Sequence, residues 1–274
     1  MSELDLLDRW PVDHASAVVV GTAGVLAQRG DLTRGYRLAS VTKPLVARAA
    51  QIAVEEGVIE LDTAAGPPGS TVRHLLAHAS GLSVHSADVV AAPGARRVYS
   101  NYGFAVLADA IEAESGIGFE SYLTEAVFEP LGMAATRLEG GTAAAGYGAV
   151  STAADLVPFV ADLLRPRTVS AQLHAEAVTV QFPGLDGVLP GFGMQRPNDW
   201  GLGFEIRAGK SPHWTGAANS PATYGHFGQS GTFLWVDPVR DLGLVVLTDR
   251  DFGDWAKPLW PAISDEVLRE FGGH

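Results

Sequence analysis

Ser40 and Lys43 stand three residues apart, at the point where a long helical pattern begins. On an α-helix, residues three apart lie on the same face, with their Cβ atoms about 5–6 Å apart. If such a pair is shielded from water, the ammonium form of the lysine is disfavoured. The neutral amine can then accept a proton from the serine hydroxyl. The pair could therefore be a nucleophile and its base, although Ser-x-x-Lys alone also occurs by chance on solvated surfaces.

The residues after Ser40 predict the helix that would position it. Pro44 suits the first turn of a helix, where a missing N–H has no consequence. Apolar residues then recur at helical spacing, as at Leu45 and Ile52, and Gly57 is a helix stop. Ser40 is thus expected at a helix N-terminus, where free backbone N–H groups and the helix dipole favour negative charge.

Composition indicates a globular protein and excludes several functions. The chain has 274 residues, 47% of them hydrophobic and 18% charged, which is enough for a large buried core. Its net charge of −12 argues against nucleic acid or an anionic membrane surface as the main partner. The absence of cysteine excludes disulfides, thiolate catalysis and cysteine-bound metal.

The N-terminal segment does not resemble an export signal. MSELDLLDRWPVDHA is acidic and has neither a basic region nor a continuous apolar region. No stretch reaches the roughly 18 apolar residues that a membrane helix needs. From these features we predict no membrane span and a cytoplasmic location.

The period of the apolar pattern changes twice along the chain. Two runs around a glycine turn predict an N-terminal β-hairpin over 15–29, and helical patterns then dominate as far as residue 164. Residues near 83–98 are predicted to be irregular, and residues 166–200 show no clear pattern. The helices are predicted over 43–57, 71–79, 102–115, 119–128, 152–164 and 255–271. The C-terminal strands are predicted over 200–207, 231–236 and 242–248.

This order predicts an α+β fold with an antiparallel sheet that joins both ends of the chain, flanked by helices. We expect one domain over 1–274, with an α/β part of about 1–60 and 200–274. A mostly helical region of about 61–199 would be inserted between them.

Three further segments carry residues suited to chemistry. They are Val98-Tyr99-Ser100-Asn101-Tyr102-Gly103 before a helix, Gly225-His226-Phe227-Gly228-Gln229-Ser230-Gly231 leading into a strand, and His74-Leu75-Leu76-Ala77-His78-Ala79-Ser80-Gly81-Leu82. Together with Leu38-Ala39-Ser40-Val41-Thr42-Lys43, they resemble the serine β-lactamase and penicillin-binding-protein superfamily. The resemblance is to its branch of class C β-lactamase-like esterases and D-alanyl-D-alanine peptidases. It covers roughly residues 15–250 in the family's order and implies a β-lactamase/transpeptidase-like fold.

The resemblance implies a role for each matching residue. Ser40 would be the acylated nucleophile and Lys43 its base or proton shuttle. Tyr99 would be a second candidate base and the relay to the leaving group. Asn101 would orient the substrate and Lys43 through its amide.

The segment at His226 matches the strand motif that flanks the bound substrate, which is Lys-Thr-Gly or His-Thr-Gly in the family. His226, Gly228, Gln229 and Ser230 would thus be substrate-binding, as would Asn101. The backbone N–H groups of Ser40 and Gln229 would form the oxyanion hole. The implied chemistry is acyl transfer through an acyl-enzyme on Ser40, which water then releases.

Two departures from that motif bear on the substrate. His226 is expected to be mostly neutral near pH 7, whereas a lysine would hold a carboxylate. Phe227 lacks the hydroxyl usual at the middle position, for which Ser230 is a candidate replacement. Both changes favour neutral esters over anionic β-lactams.

Ordinary structural roles remain open for several of these residues. Tyr99 could be a helix-flanking aromatic, Asn101 a helix N-cap, and His226 a hydrogen-bonded strand histidine. His74 and His78 have the spacing of a zinc site, but Leu75 stands where a metalloprotease needs glutamate. We therefore predict structural roles for both histidines, and no metal or cofactor.

The sequence thus predicts a serine hydrolase acting on small esters or amides. A β-lactamase or D-alanyl-D-alanine carboxypeptidase is the first alternative. A penicillin- or ligand-binding protein without turnover is the second. The expected partner is a small ester, amide or β-lactam, and the oligomeric state stays open.

Overall fold

The computed structural model describes residues 3–273 and is built around one six-stranded sheet. The strands are, in chain order, β1 (Ala15–Gly21), β2 (Gly24–Arg29), β3 (Tyr36–Arg37), β4 (Arg137–Leu138), β5 (Ala149–Ser151), β6 (Gly187–Leu189), β7 (Gly193–Gln195), β8 (Glu205–Ile206), β9 (Tyr224–Gly228), β10 (Thr232–Asp237) and β11 (Leu242–Thr248). The α-helices are α1 (Thr42–Glu55), α2 (Val72–Leu76), α3 (Asn101–Ser115), α4 (Phe119–Leu123), α5 (Glu129–Leu131), α6 (Ala153–Leu164), α7 (Ala171–Ala177) and α8 (Ala256–Phe271).

The main sheet is antiparallel and runs in the order β2-β1-β11-β10-β9-β8. The first strand of the chain pairs with the last along its whole length, from Ala15 opposite Thr248 to Gly21 opposite Leu242. This pairing confirms the predicted α+β fold with a sheet that joins both ends of the chain.

Both faces of the central strands are covered. Alternate residues of a strand point to opposite faces, and in β1 Val18 and Val20 belong to the core beneath α1 and α6. Val19 faces a second core that contains Trp235 and Trp260. Because the strands are apolar on both faces, they appear in the sequence as continuous apolar runs rather than alternating ones.

Helix α1 follows a 3₁₀ turn at Ala39–Val41 and is buried from Thr42 to Ala53. A helix buried all round can carry a polar side chain only where the surroundings supply hydrogen-bond partners. Lys43, in its first turn, is fully buried. The predicted stop is confirmed, since Gly57 takes a left-handed φ of 72° just after the helix.

Three predicted elements differ from the structure. The strand predicted over 200–207 is only β8, because Gly203 turns the chain against α1, where a Cβ would lie 2.1 Å from Ala47. The helix predicted over 71–79 ends at Leu76. The helix predicted over 119–128 contains a π-helical turn at Thr124–Phe128.

The region 166–200, where no clear pattern predicted an element, contains α7 and the β6–β7 hairpin. Residues 83–98 are irregular, as predicted. Across residues 3–273, no helix has the length and hydropathy to cross a bilayer.

Candidate active site

Ser40 lies in the 3₁₀ turn that leads into α1, and its side chain remains partly exposed to a cavity. The preceding residue, Ala39, has a φ of 45°, a left-handed conformation that non-glycine residues seldom adopt. The chain therefore bends sharply at the serine. Strained backbone of this kind is concentrated at functional sites.

Lys43 projects from the first turn of α1 toward Ser40 and two other segments. Its Nζ lies 3.3 Å from Ser40 Oγ, 2.7 Å from Tyr99 Oη, 2.6 Å from Asn101 Oδ1 and 2.7 Å from the carbonyl oxygen of Gly146. None of these four partners is a carboxylate. The lysine is thus surrounded by neutral groups only.

Burial lowers the pKa of Lys43 well below its usual 10.5, because no anion compensates the loss of water. A neutral amine has two N–H donors and one lone pair. Asn101 Oδ1 and the Gly146 carbonyl can only accept hydrogen bonds, so they take both donors. The lone pair is then left for the hydroxyls of Tyr99 and Ser40.

The Tyr99 hydroxyl links the other two groups. Its oxygen lies 2.6 Å from Ser40 Oγ and 2.7 Å from Lys43 Nζ, both shorter than the direct 3.3 Å between lysine and serine. Burial raises the pKa of Tyr99 above its usual value, so its phenol keeps its proton at neutral pH. The shortest path for a proton from Ser40 to Lys43 therefore passes through Tyr99.

The segment before α3 holds Tyr99 and Asn101 in place. Ser100 is the N-cap, since its Oγ accepts from the Gly103 N–H at 2.8 Å. The expectation that Asn101 could be the N-cap is therefore wrong. Because Ser100 caps the helix, the side-chain amide of Asn101 can bond Lys43. His78 also supports the segment by accepting the Ser100 N–H on its Nδ1 at 3.1 Å.

His226 lies on β9 and lines the same cavity. Its Nδ1 is 2.7 Å from the Phe227 carbonyl oxygen, which can only accept, so Nδ1 carries the proton. Burial and then the nearby Lys43 lower the pKa of His226 to about 3, so the ring is neutral at pH 7. Its Nε2 has no hydrogen-bond partner among the described residues.

Some of the remaining residues of the strand motif line the cavity, and others pack against neighbouring parts of the fold. Gln229 lines the cavity with Ser40. Gly228 lies against the turn before Ser40, where a Cβ would be 2.2 Å from the Leu38 carbonyl oxygen. The Ser230 hydroxyl donates to the Arg37 carbonyl at 2.5 Å, so it braces that turn instead of replacing the motif's hydroxyl. Phe227 packs against Phe252, with ring centroids 5.2 Å apart.

The cavity beside Ser40 has a volume of about 670 Å³, within the usual range for small-molecule sites. Tyr99, Asn101, His226 and Gln229 line it together with Ser40. Its remaining walls are mostly apolar and come from residues 84–98, the β6–β7 hairpin and Trp200. Trp200, Trp214 and Trp235 all belong to the second core, and of the three Trp200 lines the cavity.

Sequence reasoning missed a buried acidic group at the cavity wall. Glu205 is 1% exposed and accepts hydrogen bonds from Lys210 Nζ at 2.9 Å, His213 Nε2 at 2.8 Å and Trp214 Nε1 at 2.5 Å. Burial alone would raise the pKa of Glu205, but Lys210 and His213 outweigh it and hold the pKa well below its usual value. The sequence feature that could have indicated it is a glutamate within an otherwise apolar strand pattern.

The Glu205→Gln variant should lower the free energy of unfolding by about 3–5 kcal/mol, because it leaves the ammonium of Lys210 buried without its counter-charge. The folded-state pKa of Glu205 is lowered. The contribution of its carboxylate to the free energy of unfolding is therefore present at neutral pH and is lost as the pH falls through that pKa. Urea unfolding at pH 7 measures the change. Asp254→Asn, which removes an exposed carboxylate from an ion pair with Lys257, is the control. Equal midpoints for both variants would contradict the assignment.

The two histidines with zinc-like spacing have separate partners. His74 Nδ1 lies 2.9 Å from Thr71 Oγ1, and His78 bonds Ser100. Over residues 3–273, no three histidine or acidic side chains are grouped closely enough to hold a metal ion.

Comparisons with known proteins find related sequences and structures. The Beta-lactamase family model matches residues 31–267. A solved structure of a beta-lactamase from Mycobacterium bovis is 70% identical, with a TM-score of 0.99 over 99% of this chain and 100% of that one. The octameric penicillin-binding protein homologue from Pyrococcus abyssi shares the fold, with 21% identity and a TM-score of 0.76 over 97% of this chain and 75% of its own.

A curated relative from Salmonella heidelberg is provisionally named a D-alanyl-D-alanine carboxypeptidase. It is 26% identical over 219 residues, which cover 61% of this chain and 48% of the relative. The chain thus spans about half the length of the curated relatives it matches.

Proposed function

This chain belongs to the beta-lactamase family, and from that premise we propose that it is a serine hydrolase that forms an acyl-enzyme on Ser40. Its substrates are small, uncharged esters. The observation that carries the proposal is the chain of hydrogen bonds from Ser40 through Tyr99 to a buried lysine with no acidic partner.

Acylation follows from the positions of the protons. Ser40 Oγ attacks the ester carbonyl carbon while its proton passes to Tyr99 Oη, and the phenol proton passes to the lone pair of Lys43. The negative charge on the carbonyl oxygen is stabilised by the backbone N–H groups of Ser40 and Gln229. The tetrahedral intermediate then collapses. The leaving alkoxide takes a proton back from Tyr99, which Lys43 replenishes.

Deacylation reverses the same path. Water replaces the alcohol, gives its proton to Tyr99 and attacks the acyl carbon. Ser40 Oγ leaves and is reprotonated by Tyr99. Because Lys43 returns to the neutral state after each half-reaction, one base serves both.

The neutral ring of His226 supports the preference for uncharged substrates. A lysine at this strand position would attract a substrate carboxylate, whereas His226 carries no charge at pH 7. The second candidate function, β-lactam hydrolysis, is favoured by the name of the 70% identical Mycobacterium bovis protein.

Rates with p-nitrophenyl butyrate and a chromogenic cephalosporin separate these functions. We expect turnover of the ester and a mass adduct on Ser40 after treatment with a fluorophosphonate. Fast cephalosporin turnover with no ester turnover would make β-lactamase the better assignment. A fluorophosphonate adduct without turnover of either compound would indicate a binding protein.

The pH dependence should be set by Lys43. We expect kcat/KM for an uncharged ester to rise with pH and then level off, with a midpoint below the 10.5 of an ordinary lysine. Below that midpoint the ammonium has no lone pair and cannot accept the proton. His226 titrates near pH 3 and adds no second step between about pH 5 and pH 9. A profile measured over that range that falls as the pH rises would contradict Lys43 as the base.

A further inference from the structure

We propose that the β6–β7 hairpin forms a binding site for an extended apolar chain of the substrate, with Val188 and Met194 as the specificity-determining residues. This inference rests on the proposed function, because it assigns the substrate class of the same cavity. The chain could belong to the acyl part or to the alcohol part of the ester, and two series of esters distinguish these cases.

Two large apolar side chains stand exposed on the hairpin. Val188 is 53% exposed and Met194 50% exposed, and they face each other across the strands. Both line the cavity that contains Ser40. Apolar side chains exposed together in a concave site gain free energy when a ligand covers them.

The hairpin is anchored at its base and its tip, so its apolar pair is held in place. At the base, Gly187 pairs with Arg97 so closely that a Cβ would lie 2.5 Å from that of Arg97. At the tip, Phe192 packs against Phe227 and Phe252, each with ring centroids 5.7 Å away. An anchored wall binds a chain without first having to be ordered.

A second segment adds apolar lining to the cavity. Val84 lines the cavity and is 37% exposed, and the same loop carries Val89 and Val90, both about half exposed. Val84 and the hairpin thus both line the cavity that contains Ser40.

Most charged side chains that line the cavity form ion pairs or hydrogen bonds within the protein. Asp186 lies 3.5 Å from Arg196, and Glu205 is bonded to Lys210. Arg97 donates to four backbone carbonyls. Arg96 is exposed and donates to the Val90 carbonyl, so it keeps its positive charge. The part of the cavity that Val188 and Met194 line is apolar and is suited to a chain without charge.

Burial of one methylene group is worth about 0.8 kcal/mol, which corresponds to roughly a fourfold change in kcat/KM. For p-nitrophenyl acetate, butyrate and octanoate, we therefore expect kcat/KM to rise with acyl length until the chain fills the cavity. A matching series of acetate esters of longer alcohols tests the other side of the substrate.

The double variant Val188→Ser, Met194→Ser should reduce the advantage of the long ester roughly tenfold. It should lower the rate with acetate much less than the rate with octanoate, because acetate has no long chain to lie against the hairpin. Both residues are half exposed, so the fold is retained. Val239→Ser, at a valine that is 67% exposed and lies outside the cavity lining, is the control and should preserve the wild-type profile. Val188→Trp should exclude octanoate but admit acetate.

The outcomes separate this inference from the proposed function. If the enzyme hydrolyses acetate but neither ester series depends on chain length, the chain site is wrong and the serine hydrolase stands. The same holds if the double variant keeps the wild-type profile. If no ester is hydrolysed and no adduct forms on Ser40, both proposals fail. Dependence in only one series identifies which part of the substrate lies between the hairpin and the loop.

Discussion

The Ser40→Ala variant should form no covalent adduct with a fluorophosphonate and should lose ester hydrolysis by at least about 10⁴-fold. The nucleophilic oxygen is removed, while the cavity and the hydrogen-bond donors remain, so only binding contributes to any residual rate. Intact-mass spectrometry measures the adduct and initial rates measure hydrolysis.

The control is Ser86→Ala, a serine in the loop that carries Val84, whose hydroxyl donates to Asp88 Oδ2 at 2.8 Å. That variant should keep wild-type labelling and rates. The melting temperature of Ser40→Ala should stay close to that of the wild type, because Ser40 is only partly buried. An adduct that persists in Ser40→Ala would move the nucleophile to another residue.

The Lys43→Ala variant should slow acylation by roughly 10²–10⁴-fold, the usual contribution of a general base. The proton that leaves Ser40 through Tyr99 would have no acceptor, since Tyr99 itself stays protonated at neutral pH. Single-turnover acylation with a p-nitrophenyl ester measures this step directly.

Two comparison variants distinguish a base from a simple positive charge at this position. Lys43→Arg retains a cation but has no lone pair near pH 7, so it should be as slow as Lys43→Ala. Tyr99→Phe interrupts the proton path but keeps the base. The decrease in acylation rate of the Tyr99→Phe, Lys43→Ala double variant should therefore be smaller than the product of the two single decreases. An active Lys43→Arg enzyme would indicate electrostatic help instead of proton transfer. The stability of each variant should also be measured by urea unfolding. Removal of Lys43 leaves the Asn101 and Gly146 acceptors without their donor, which is expected to lower stability.

The sequence predicted the sheet and the serine-lysine pair for different physical reasons. Strands β1, β10 and β11 are nearly continuous apolar runs bounded by turns, so their local pattern is enough to locate them. The pattern did not predict β9, and it predicted β8 as a longer strand. Ser40, Lys43, Tyr99 and Asn101 form no local pattern together. Their spatial grouping was expected only from the resemblance to a known family, and the structure places their side chains within hydrogen-bond distance.

The walls of the cavity were not predictable in the same way. The β6–β7 hairpin is short and contains several glycines, and its position depends on the pairing of Gly187 with Arg97, far away in the sequence. The roles of hydroxyl groups also depend on tertiary contacts. Ser100 and Asn101 are both common N-cap residue types, and in the structure Ser100 caps α3 while the Asn101 amide contacts Lys43.

The pairing of β1 with β11 has a consequence for how the enzyme becomes active. Ala15 and Thr248 lie at opposite ends of the sequence, so the sheet closes only after a contact of very high sequence separation has formed. Such contacts form slowly, because the intervening chain must be confined before any stabilisation is gained. Helix α1, which carries Lys43, precedes β9, which carries His226, and β9 pairs with β10, which pairs with β11. We therefore expect recovery of activity during refolding to require completion of the sheet.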